Sequence, residues 1–508
     1  MNYFLKKIYL LLIILSIFLD INVKNSLVFS QELVEINLEK EIKKGNFLIG
    51  LKQYIGRSTD DKEEFLHFQT KNDVLRVQSS NGIRHKSKEI KIFLKKIPLE
   101  KPKIIERLVS QSFASYESAR KEADLLEKKG FKPVVIKPNN WKIWMNIDFK
   151  NQNIDNFKIE RKIVNFKIVP FLTNQYTYQK LDGPISINSG EDIKINNIKY
   201  GKNFYLVRDS YGSWTLVQKI SFENYLKGVL PHEIGANSPM ESLKAQAVIA
   251  RTWAIYNSNR FEPDNFHLCI TTQCQVYKPS ASNKNIERAV LSTKNDVLVY
   301  GGRPINAFYH ASNGGISANS GESWAIQDYP YFISRFDLIN IKNKGQIPFM
   351  KRRKDLENFF EEDINNFYGK NHYLFRWEKK ISNQQINELL RKNNLSNKNH
   401  QNLNLEVTER GRSGRVTKLE ITSSDSNISI ILIKDDIRKY LNFLPSNLFI
   451  INKLNDNFWV FNGGGFGHGV GLSQSGAIEM AQQGFHYQKI LKKYYKDTKI
   501  LNFMDLSE

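Results

Sequence analysis

The chain is organised around residues 225–254, which read YLKGVLPHEIGANSPMESLKAQAVIARTWA. This stretch predicts a short buried strand or turn, a loop that carries one isolated acid, Glu233, and then a helix. Ser238 is placed to cap that helix, Pro239 fits its first turn, and Glu241, three residues after the cap, completes a capping box. We therefore expect Glu233 to lie in a cleft between two apolar elements.

The predicted helix has an apolar face made largely of small residues. Apolar side chains recur at spacings of three and four, the period of an α-helix, at Met240, Leu243, Ala247, Ala250 and Ala254. Their small size predicts that another element packs close to the helix backbone. Lys244 and Arg251 lie seven residues apart, on a different side that we expect to face solvent.

The same stretch resembles the core motif of the SpoIID/LytB family of cell-wall proteins. Members carry YL-x-GVV-x-x-E and then a helix close to EALKAQAVAARTY, where this chain has YLKGVLPHE at 225–233 and ESLKAQAVIARTW at 241–253. Four later segments resemble the family's remaining motifs, in the family's order: PINAFYHASNGG (304–315), RSGRV (412–416), LPSNLF (444–449) and GGGFGHGVGLSQSGA (463–477). The resemblance covers roughly the C-terminal three fifths of the chain.

The resemblance implies a peptidoglycan lytic transglycosylase. Such an enzyme cleaves the β-1,4 bond between N-acetylmuramic acid and N-acetylglucosamine without water, because the sugar's own 6-hydroxyl attacks and leaves a 1,6-anhydro end. Glu233 would protonate the leaving oxygen as general acid and then accept the proton of the 6-hydroxyl as base, whereas ordinary glycoside hydrolysis uses two carboxylates. Burial must then raise the pKa of Glu233, against the positive end of the nearby helix. The alternative is a solvated loop glutamate.

The resemblance also implies a substrate cleft around the Asn-Gly-Gly turn and the Gly-rich segment. The residues expected to bind the glycan there carry polar groups or open backbone: Lys244, Gln246, Arg251, His310, Ser312, Asn313, Gly314, Gly315, Glu322, His468, Ser473 and Gln474. Ser473 should also cap the helix that follows, and Glu322 is the best second carboxylate if the enzyme is a hydrolase. The alternative for the turn is a plain hairpin, and the Gly-rich segment lacks the Lys-Ser/Thr ending of a P-loop.

The chain has two cysteines, Cys269 and Cys274, which lie five residues apart. In a secreted chain this spacing indicates a small disulfide loop. Some relatives bind zinc here through cysteines and histidines, but this chain has Gln273 where they have a histidine just before the second cysteine. His267 would then take its place as a ligand, with His310 or His468 completing a tetrahedral site. A disulfide, a zinc site and free buried thiols remain alternatives, and the acid chemistry needs no cofactor.

The length of the chain limits the number of domains, and its charge bears on the class of partner. A chain of 508 residues is expected to form about two to four domains. Its formal net charge of +22 indicates either attraction to a polyanion or a lysine-rich composition whose charges are spread over solvated surfaces. The lysines are dispersed, and no long basic run is interleaved with aromatic residues, so we favour the second interpretation and expect no nucleic-acid partner.

The N-terminus has the layout of a secretory signal peptide over residues 1–30. Lys6 and Lys7 precede an apolar run at 8–19, and a cleavage region follows at 28–30. The run is shorter than the roughly 20 residues that a membrane-spanning helix needs, although an uncleaved anchor is the alternative. We expect a secreted or periplasmic protein, associated with the cell wall and without a membrane span after cleavage.

The predicted fold class is α+β: a mainly β catalytic domain with a few packed helices, preceded by a small α/β module. No chemistry is evident in residues 31–100. Residues 101–157 order as strand, helix, glycine stop and two strands, and resemble a SPOR module, which binds glycan strands stripped of their peptides; Trp141 and Trp144 are sugar platforms or core residues. The catalytic domain is predicted over 158–505, with 341–405 partly a surface insertion.

Two functions of different class remain. The first is the lytic transglycosylase, which acts on glycan strands. The second is a non-catalytic wall-binding protein that enhances an N-acetylmuramoyl-L-alanine amidase, as LytB members are thought to do. The two hypotheses differ at Glu233, because a binding protein could lose that carboxylate without harm.

Overall fold

The structure is a computed structural model that describes residues 36–57, 64–149, 156–174, 177–279, 283–339, 349–424 and 428–506. The predicted signal peptide lies outside these residues. No helix in the described ranges is both long and apolar enough to cross a membrane.

The fold is mixed α and β and mainly β. Its α-helices are Leu38–Lys43, Tyr116–Lys128, Phe222–Leu230, Met240–Tyr256, Lys284–Ser292, Ser320–Ser323, Arg353–Glu361, Asn383–Lys392, Asp435–Tyr440, Gln474–Gln482 and Tyr487–Tyr494. Short helical turns of other types occur at Ile147–Phe149, Pro231–Gly235, Glu262–Asp264, Ile364–Asn366 and Phe503–Asp505.

A seven-stranded sheet leads into the stretch that carries Glu233. Its strands run in the order Leu268–Cys269, Asn46–Ile55, Trp214–Ser221, Asn203–Arg208, Ile185–Asn188, Leu75–Ser79 and Arg84–Ser87. Strand Asn46–Ile55 pairs in parallel with Leu268–Cys269 and antiparallel with Trp214–Ser221. Strand Asn46–Ile55 therefore lies inside the sheet, between two strands that come much later in the sequence.

A second sheet packs against the first around a shared apolar core. Its eight strands are Ile198–Lys199, Lys194–Ile195, Glu64–Gln69, Glu89–Ser110, Lys142–Asn146, Val134–Ile136, Phe157–Asn174 and Thr177–Lys180. The core contains side chains of both sheets, such as Phe68 and Ile92 from this sheet and Val77 and Phe204 from the other. Strand pairing thus crosses the boundaries expected at residues 100 and 157, and the division into domains stays a prediction.

Short sheets build the C-terminal half. They are formed by Asp296–Tyr300 with Arg303–Pro304 and Lys499–Asn502; Tyr309–His310 with Leu472–Ser473; Ile316–Ser317 with Arg335–Phe336; Trp377–Ser382 with Phe458–Gly463 and Phe449–Asn455; and Leu403–Arg410 with Val416–Ser423 and Ile428–Ile433. Residues from Trp377 through Leu405 share one apolar core with Val416 through Phe461. The described part of 341–405 is accordingly built into this lobe and is not only a surface insertion.

The helix Met240–Tyr256, here called the central helix, is buried on all sides. Helices Phe222–Leu230, Lys284–Ser292, Gln474–Gln482 and Tyr487–Tyr494 surround it, and its small residues allow this close packing. The prediction of a solvent-facing side with Lys244 and Arg251 is therefore wrong for Arg251, which is fully buried. A helix that is enclosed by other elements has no face that must be polar.

The beginning of the quoted stretch also differs from the prediction. Residues 225–230 belong to the helix Phe222–Leu230, which Ser221 caps by accepting the Asn224 N–H at 3.4 Å. Ser238 does not cap the central helix, because its hydroxyl donates to the Ile234 carbonyl at 2.7 Å. Glu241 accepts instead from Lys244 Nζ at 2.7 Å and the Tyr487 N–H at 2.9 Å. A tertiary partner thus replaces the local capping box.

Residues 101–157 show the expected order of strand, helix and two strands. The helix Tyr116–Lys128 packs against the strand Val134–Ile136. Trp141 is buried and its Nε1 donates to Gln273 Oε1 at 2.9 Å, so it is a core residue and not a sugar platform. Trp144 is partly exposed, with the Arg107 guanidinium 3.8 Å from its ring centroid. The resemblance to a SPOR module stays a prediction.

A partly buried carboxylate joins this region to the C-terminal lobe. Asp435 accepts hydrogen bonds from the hydroxyls of Ser115, at 2.5 Å, and Ser118, at 3.0 Å. Both serines begin the helix Tyr116–Lys128, where a negative charge is favourable. Burial nevertheless raises the pKa of Asp435 to about 6, although the Ser115 hydrogen bond opposes it.

This pKa predicts how the stability depends on pH. Between about pH 6 and pH 4 the folded protein holds a proton on Asp435 that the unfolded chain lacks, so the contribution of this group to stability increases as the pH falls through that window. We expect the Asp435→Asn variant to lose this part of the pH dependence, on the order of 2–3 kcal/mol. Thermal unfolding of both proteins at pH 7 and pH 4 measures it. A difference in Tm that stays the same at both pH values would contradict the assignment.

Candidate active site

Glu233 lies on a π-helical turn, Pro231–Gly235, which directly continues the helix Phe222–Leu230. The turn ends at Gly235, whose φ of +87° only glycine adopts freely. Single π-helical turns of this kind are frequent at functional sites. The segment that was predicted as a loop around Glu233 is therefore a helical turn. Glu233 lies between the helix Phe222–Leu230 and the central helix.

The Glu233 carboxyl is partly buried and hydrogen-bonded. Its Oε1 accepts the Val276 N–H at 2.9 Å, and the Tyr309 hydroxyl donates a second hydrogen bond. Burial raises the pKa of Glu233, and these two hydrogen bonds oppose the rise. This raised pKa is a shift in the direction that a general acid needs.

Tyr309 and Gln275 extend the hydrogen bonding away from the acid. Gln275 Nε2 donates to the Tyr309 hydroxyl at 3.1 Å and to the Ala250 carbonyl at 3.3 Å. Its Oε1 accepts the hydroxyl of the buried Tyr225 at 3.2 Å. Neither Tyr309 nor Gln275 was predicted as a site residue. Tyr309 directly precedes His310 in a predicted strand, and the alternation of strand side chains was the signal that could have found it.

Gly228 lets the loop that holds Glu233 approach the helix closely. A Cβ at Gly228 would lie 2.7 Å from the Lys278 carbonyl oxygen and would also overlap the Tyr277 ring. The Lys278 N–H donates to the Gly228 carbonyl at 3.2 Å. The glycine of the YLKGVL motif thus fixes residues 276–278 against the helix, and Val276 fixes the carboxyl.

Cys269 and Cys274 form a disulfide just before this loop, with their Cα atoms 5.7 Å apart. Of the three alternatives, the structure shows the disulfide. His267 is not free to bind a metal, because its Nδ1 accepts the Leu48 N–H at 2.8 Å and its Nε2 lies 3.0 Å from the Leu38 carbonyl. The described residues contain no cluster of three or more His, Cys, Asp or Glu that could hold a metal ion. The zinc ligand set His267, Cys269 and Cys274 therefore does not fit.

The three central-helix candidates have different surroundings. Arg251 is fully buried and forms an ion pair with Glu223 at 2.5 Å, so it does not face a glycan. Lys244 is partly exposed and forms an ion pair with Glu241 at 2.7 Å. Gln246 is buried, and its Oε1 accepts Gln474 Nε2 at 3.3 Å. Gln246 and Gln474 are thus brought together, one helical turn from Ala250.

The Asn-Gly-Gly turn packs against the Gly-rich segment. Ser312 exchanges backbone hydrogen bonds with Phe466, and a Cβ at Gly314 would lie 2.6 Å from the Gly464 carbonyl carbon. Asn313 Nδ2 donates to Asp337 at 2.8 Å, and its Oδ1 accepts the Gly315 N–H at 2.9 Å. These residues of the Asn-Gly-Gly turn are buried and hydrogen-bonded within the protein. They therefore hold the turn at its junction with the Gly-rich segment.

Glu322 is also buried. Its Oε1 accepts the Ser334 hydroxyl at 2.7 Å, and its Oε2 accepts the Ser413 N–H at 3.1 Å and the Ser413 hydroxyl. Both oxygens are therefore engaged, and the prediction that Glu322 is the best second carboxylate of a hydrolase finds no support in this arrangement.

The Gly-rich segment carries His468 and a capped helix. Ser473 caps the helix Gln474–Gln482 by accepting the Gly476 N–H at 3.4 Å, as predicted. His468 Nδ1 accepts the Val470 N–H at 3.1 Å, and its ring lies 5.2 Å from that of His310. Tyr309 and His310 point to opposite faces of their strand, so the two histidines lie on the other side from Glu233.

A cleft of about 960 Å³ lies beside the helix Phe222–Leu230, which leads into the acid-bearing turn. It is lined by Asn203 of the seven-stranded sheet, by Asn224 and Lys227 of the helix Phe222–Leu230, and by Tyr200, Lys202 and Tyr277 of connecting segments. Tyr277 directly follows Val276, so one loop contacts both Glu233 and this cleft.

Comparison with known proteins gives matches over most of this region. A family model described as Stage II sporulation protein matches residues 210–300, and a domain of unknown function, DUF8618, matches 318–471. An uncharacterized protein of Brachyspira hyodysenteriae is 29% identical over 63% of this chain and 77% of its own length. The amidase enhancer of Bacillus subtilis is 28% identical over 55% of this chain but only 40% of its own length.

The Stage II sporulation protein D of Bacillus subtilis is 28% identical over 56% of this chain and 75% of its own length. The matched segment 210–300 contains Glu233, the central helix and the loop that holds the carboxyl. Together, the family-model match and these named relatives support the SpoIID family for this chain.

Proposed function

We propose that the protein is a lytic transglycosylase that cleaves the β-1,4 bond between N-acetylmuramic acid and N-acetylglucosamine in glycan strands stripped of their peptides. The observation that carries the proposal is the single partly buried carboxyl of Glu233, whose pKa burial raises. Both oxygens of Glu322 are engaged elsewhere, which favours a mechanism with one carboxyl group over one with two.

The chemistry needs two proton transfers at one side chain. Protonated Glu233 gives its proton to the glycosidic oxygen as the C1–O bond breaks and the leaving oxygen takes the electron pair. The resulting carboxylate then accepts the proton of the 6-hydroxyl as that oxygen bonds to C1 and closes the anhydro ring. The Val276 N–H and the Tyr309 hydroxyl hold the carboxyl in place and stabilise its charged form between these steps. The neighbouring cleft, with its amides and tyrosines, offers room for the adjoining sugars.

The direct test is a product analysis. The protein is incubated with purified peptide-free glycan, and mass spectrometry identifies the new ends. Anhydromuramyl ends, lighter than hydrolysis products by one water, are the expected result. Reducing ends without the anhydro ring would assign the enzyme to the hydrolases instead.

A non-catalytic enhancer of a cell-wall amidase is the second candidate function. The relative that is named an amidase enhancer is the observation that favours it. Under this hypothesis the protein alone leaves the glycan intact but accelerates an added amidase, and the Glu233→Gln variant does so equally well. In either case we propose a secreted or periplasmic protein at the cell wall, with residues 101–157 acting as a glycan-binding module.

The Tyr309→Phe variant tests how the Tyr309 hydroxyl affects the pKa of Glu233. Removing the hydroxyl removes a hydrogen bond that lowers the pKa of Glu233, so this pKa rises further and the alkaline limb of the pH–rate profile moves to higher pH. We also expect the maximal rate to fall about tenfold, because the carboxyl loses one of its two fixed partners. The measurement is kcat/KM on peptide-free glycan as a function of pH.

Tyr277→Phe is the matched control, since the Tyr277 hydroxyl donates to Gln218 and not to Glu233. Its alkaline limb should coincide with that of the unmodified protein. A limb that moves to lower pH in Tyr309→Phe would contradict the assigned role.

A further inference from the structure

A second cleft, of about 620 Å³, lies between the helix Tyr116–Lys128 and the C-terminal end of the central helix. Residues of later segments complete its lining, among them Asn257, Asn306 and Tyr329. Sites for small ligands commonly have volumes of about 300–1,000 Å³. The cleft therefore has the size of a ligand site, and the single-acid reaction gives it no role.

Hydrogen bonds fix the two walls of this cleft to each other. The buried Arg260 donates to Glu117 at 2.5 Å and to the Gln273 carbonyl at 2.8 Å. The Ser118 hydroxyl oxygen accepts the Ala325 N–H at 3.4 Å. The helix Tyr116–Lys128 is thus held against the segments on the other side. A ligand does not have to order these walls when it binds, which lowers the entropic cost of binding.

A chain of hydrogen bonds leaves one spare donor at the cleft wall. Arg260 can only donate, and it donates to Asn257 Oδ1 at 2.8 Å. Asn257 Nδ2 therefore donates to the Trp253 carbonyl, at 2.9 Å, and to Asn306 Oδ1, at 3.0 Å. This leaves Asn306 Nδ2 as a donor that makes no hydrogen bond to the described residues. Asn306 lines the cleft and is only 3% exposed, so this N–H calls for a partner.

Two tyrosines supply a further polar group and an apolar surface. The hydroxyl oxygens of Tyr256 and Tyr329 are 3.3 Å apart. Only one of the two hydroxyl hydrogens can lie between these oxygens, so the other can be donated to a ligand. Tyr256 is 43% exposed, and its ring offers an open apolar surface beside these polar groups.

The charges of the cleft balance each other. Three basic and three acidic side chains line it. Arg120 forms ion pairs with Asp124, at 2.6 Å, and with Glu127, and Glu117 is paired with Arg260. Because neither sign is in excess, the electrostatics favour an uncharged ligand over an ion. The ligand must then offer an uncharged oxygen to Asn306 and an apolar surface to Tyr256.

We propose that this cleft binds an uncharged N-acetylated sugar, such as an N-acetylglucosamine unit of a glycan strand. The acetyl carbonyl accepts the Asn306 N–H, the sugar hydroxyls bond to the tyrosine hydroxyls, and the apolar face of the sugar ring packs on Tyr256. The choice of an N-acetylated sugar rests on the proposed function, but the cleft does not include Glu233. Asn306 lies three residues before Tyr309, which donates to Glu233, so one short segment reaches both sites.

The test is a calorimetric titration with the trimer of N-acetylglucosamine and with the trimer of glucosamine, which lacks the acetyl carbonyl. Neither contains N-acetylmuramic acid, so the proposed reaction cannot cleave them and the result is independent of catalysis. We expect the acetylated trimer to bind at least about tenfold more tightly, and the Glu233→Gln variant to bind it equally well. If the protein binds the trimer but forms no anhydromuramyl ends, the proposed reaction is wrong and the cleft proposal stands.

Two variants locate the trimer. Asn306→Asp still offers an oxygen to Asn257 but replaces the spare N–H by an oxygen, and Tyr256→Ala removes the exposed ring; each should weaken binding of the acetylated trimer about tenfold or more. Tyr178→Ala is the matched control, because Tyr178 is 61% exposed on strand Thr177–Lys180 and does not line the cleft; it should bind like the unmodified protein. If Asn306→Asp does not fold, Tyr256→Ala alone decides. Unchanged binding in Tyr256→Ala, equal binding of the two trimers, or binding of neither would overturn the proposal.

Discussion

Replacing Glu233 by glutamine is expected to lower the rate at which anhydromuramyl ends form by about 10²–10⁴-fold, the usual contribution of a general acid–base group. Glutamine keeps the shape of the side chain and can still accept the Val276 N–H. It cannot donate a proton to the glycosidic oxygen or accept one from the 6-hydroxyl. Substrate binding should therefore change little, and the loss should appear in kcat.

Two other carboxyl groups serve as controls for that experiment. Glu241 lies eight residues further along the chain and is engaged by Lys244 and the Tyr487 N–H, so Glu241→Gln should retain the activity. Glu322→Gln addresses a two-carboxylate mechanism. If its purified, folded form loses the activity as completely as Glu233→Gln does, the single-acid mechanism is wrong.

The Arg251→Met substitution is expected to destabilise the fold by about 3–5 kcal/mol, the usual cost of breaking a buried ion pair by removing one partner. Arg251 is fully buried; it forms hydrogen bonds to Glu223, at 2.5 and 3.1 Å, and to the Asp296 carbonyl, at 2.9 Å. Methionine fills much of the same space but leaves the Glu223 carboxylate without its cation. Denaturant unfolding followed by circular dichroism measures the loss.

Lys453→Met is the control, because Lys453 forms an exposed ion pair with Asp456 and such pairs contribute about 0–1 kcal/mol. The double variant Glu223→Leu/Arg251→Met should regain part of the stability, since it leaves no unpaired charge. If Arg251→Met were as stable as the unmodified protein but bound glycan more weakly, Arg251 would be a substrate residue after all.

Local patterns in the sequence were sufficient for features that neighbouring residues determine. The central helix and the Ser473 cap each depend on residues within a few positions of one another, whereas the cysteine spacing left a disulfide, a zinc site and free thiols as alternatives until the structure showed the disulfide. The capping box at Ser238 and Glu241 failed for the opposite reason. Glu241 binds the Tyr487 N–H, a group 246 residues away, and no local rule anticipates such a partner.

The role of Glu233 as the general acid stays a prediction. The sequence placed this acid between two apolar elements, and burial does raise its pKa. The polar residues of the later motifs suggested sugar contacts, yet Asn313 binds Asp337 and Glu322 binds Ser413, 91 residues further on. Sequence shows that these residues are polar, but only their distant partners show that they are buried and paired.

The position of strand Asn46–Ile55 has a consequence for how the chain folds as it is made. This strand pairs with Trp214–Ser221 and Leu268–Cys269, so its neighbours leave the ribosome only after more than 150 further residues have been synthesised. At about 5–20 residues per second this takes on the order of ten seconds or more. During that interval Phe47 and Ile49, which end in the same core as the central helix, have no native contacts across the sheet. This part of the sheet can therefore close around Asn46–Ile55 only after synthesis has passed residue 268.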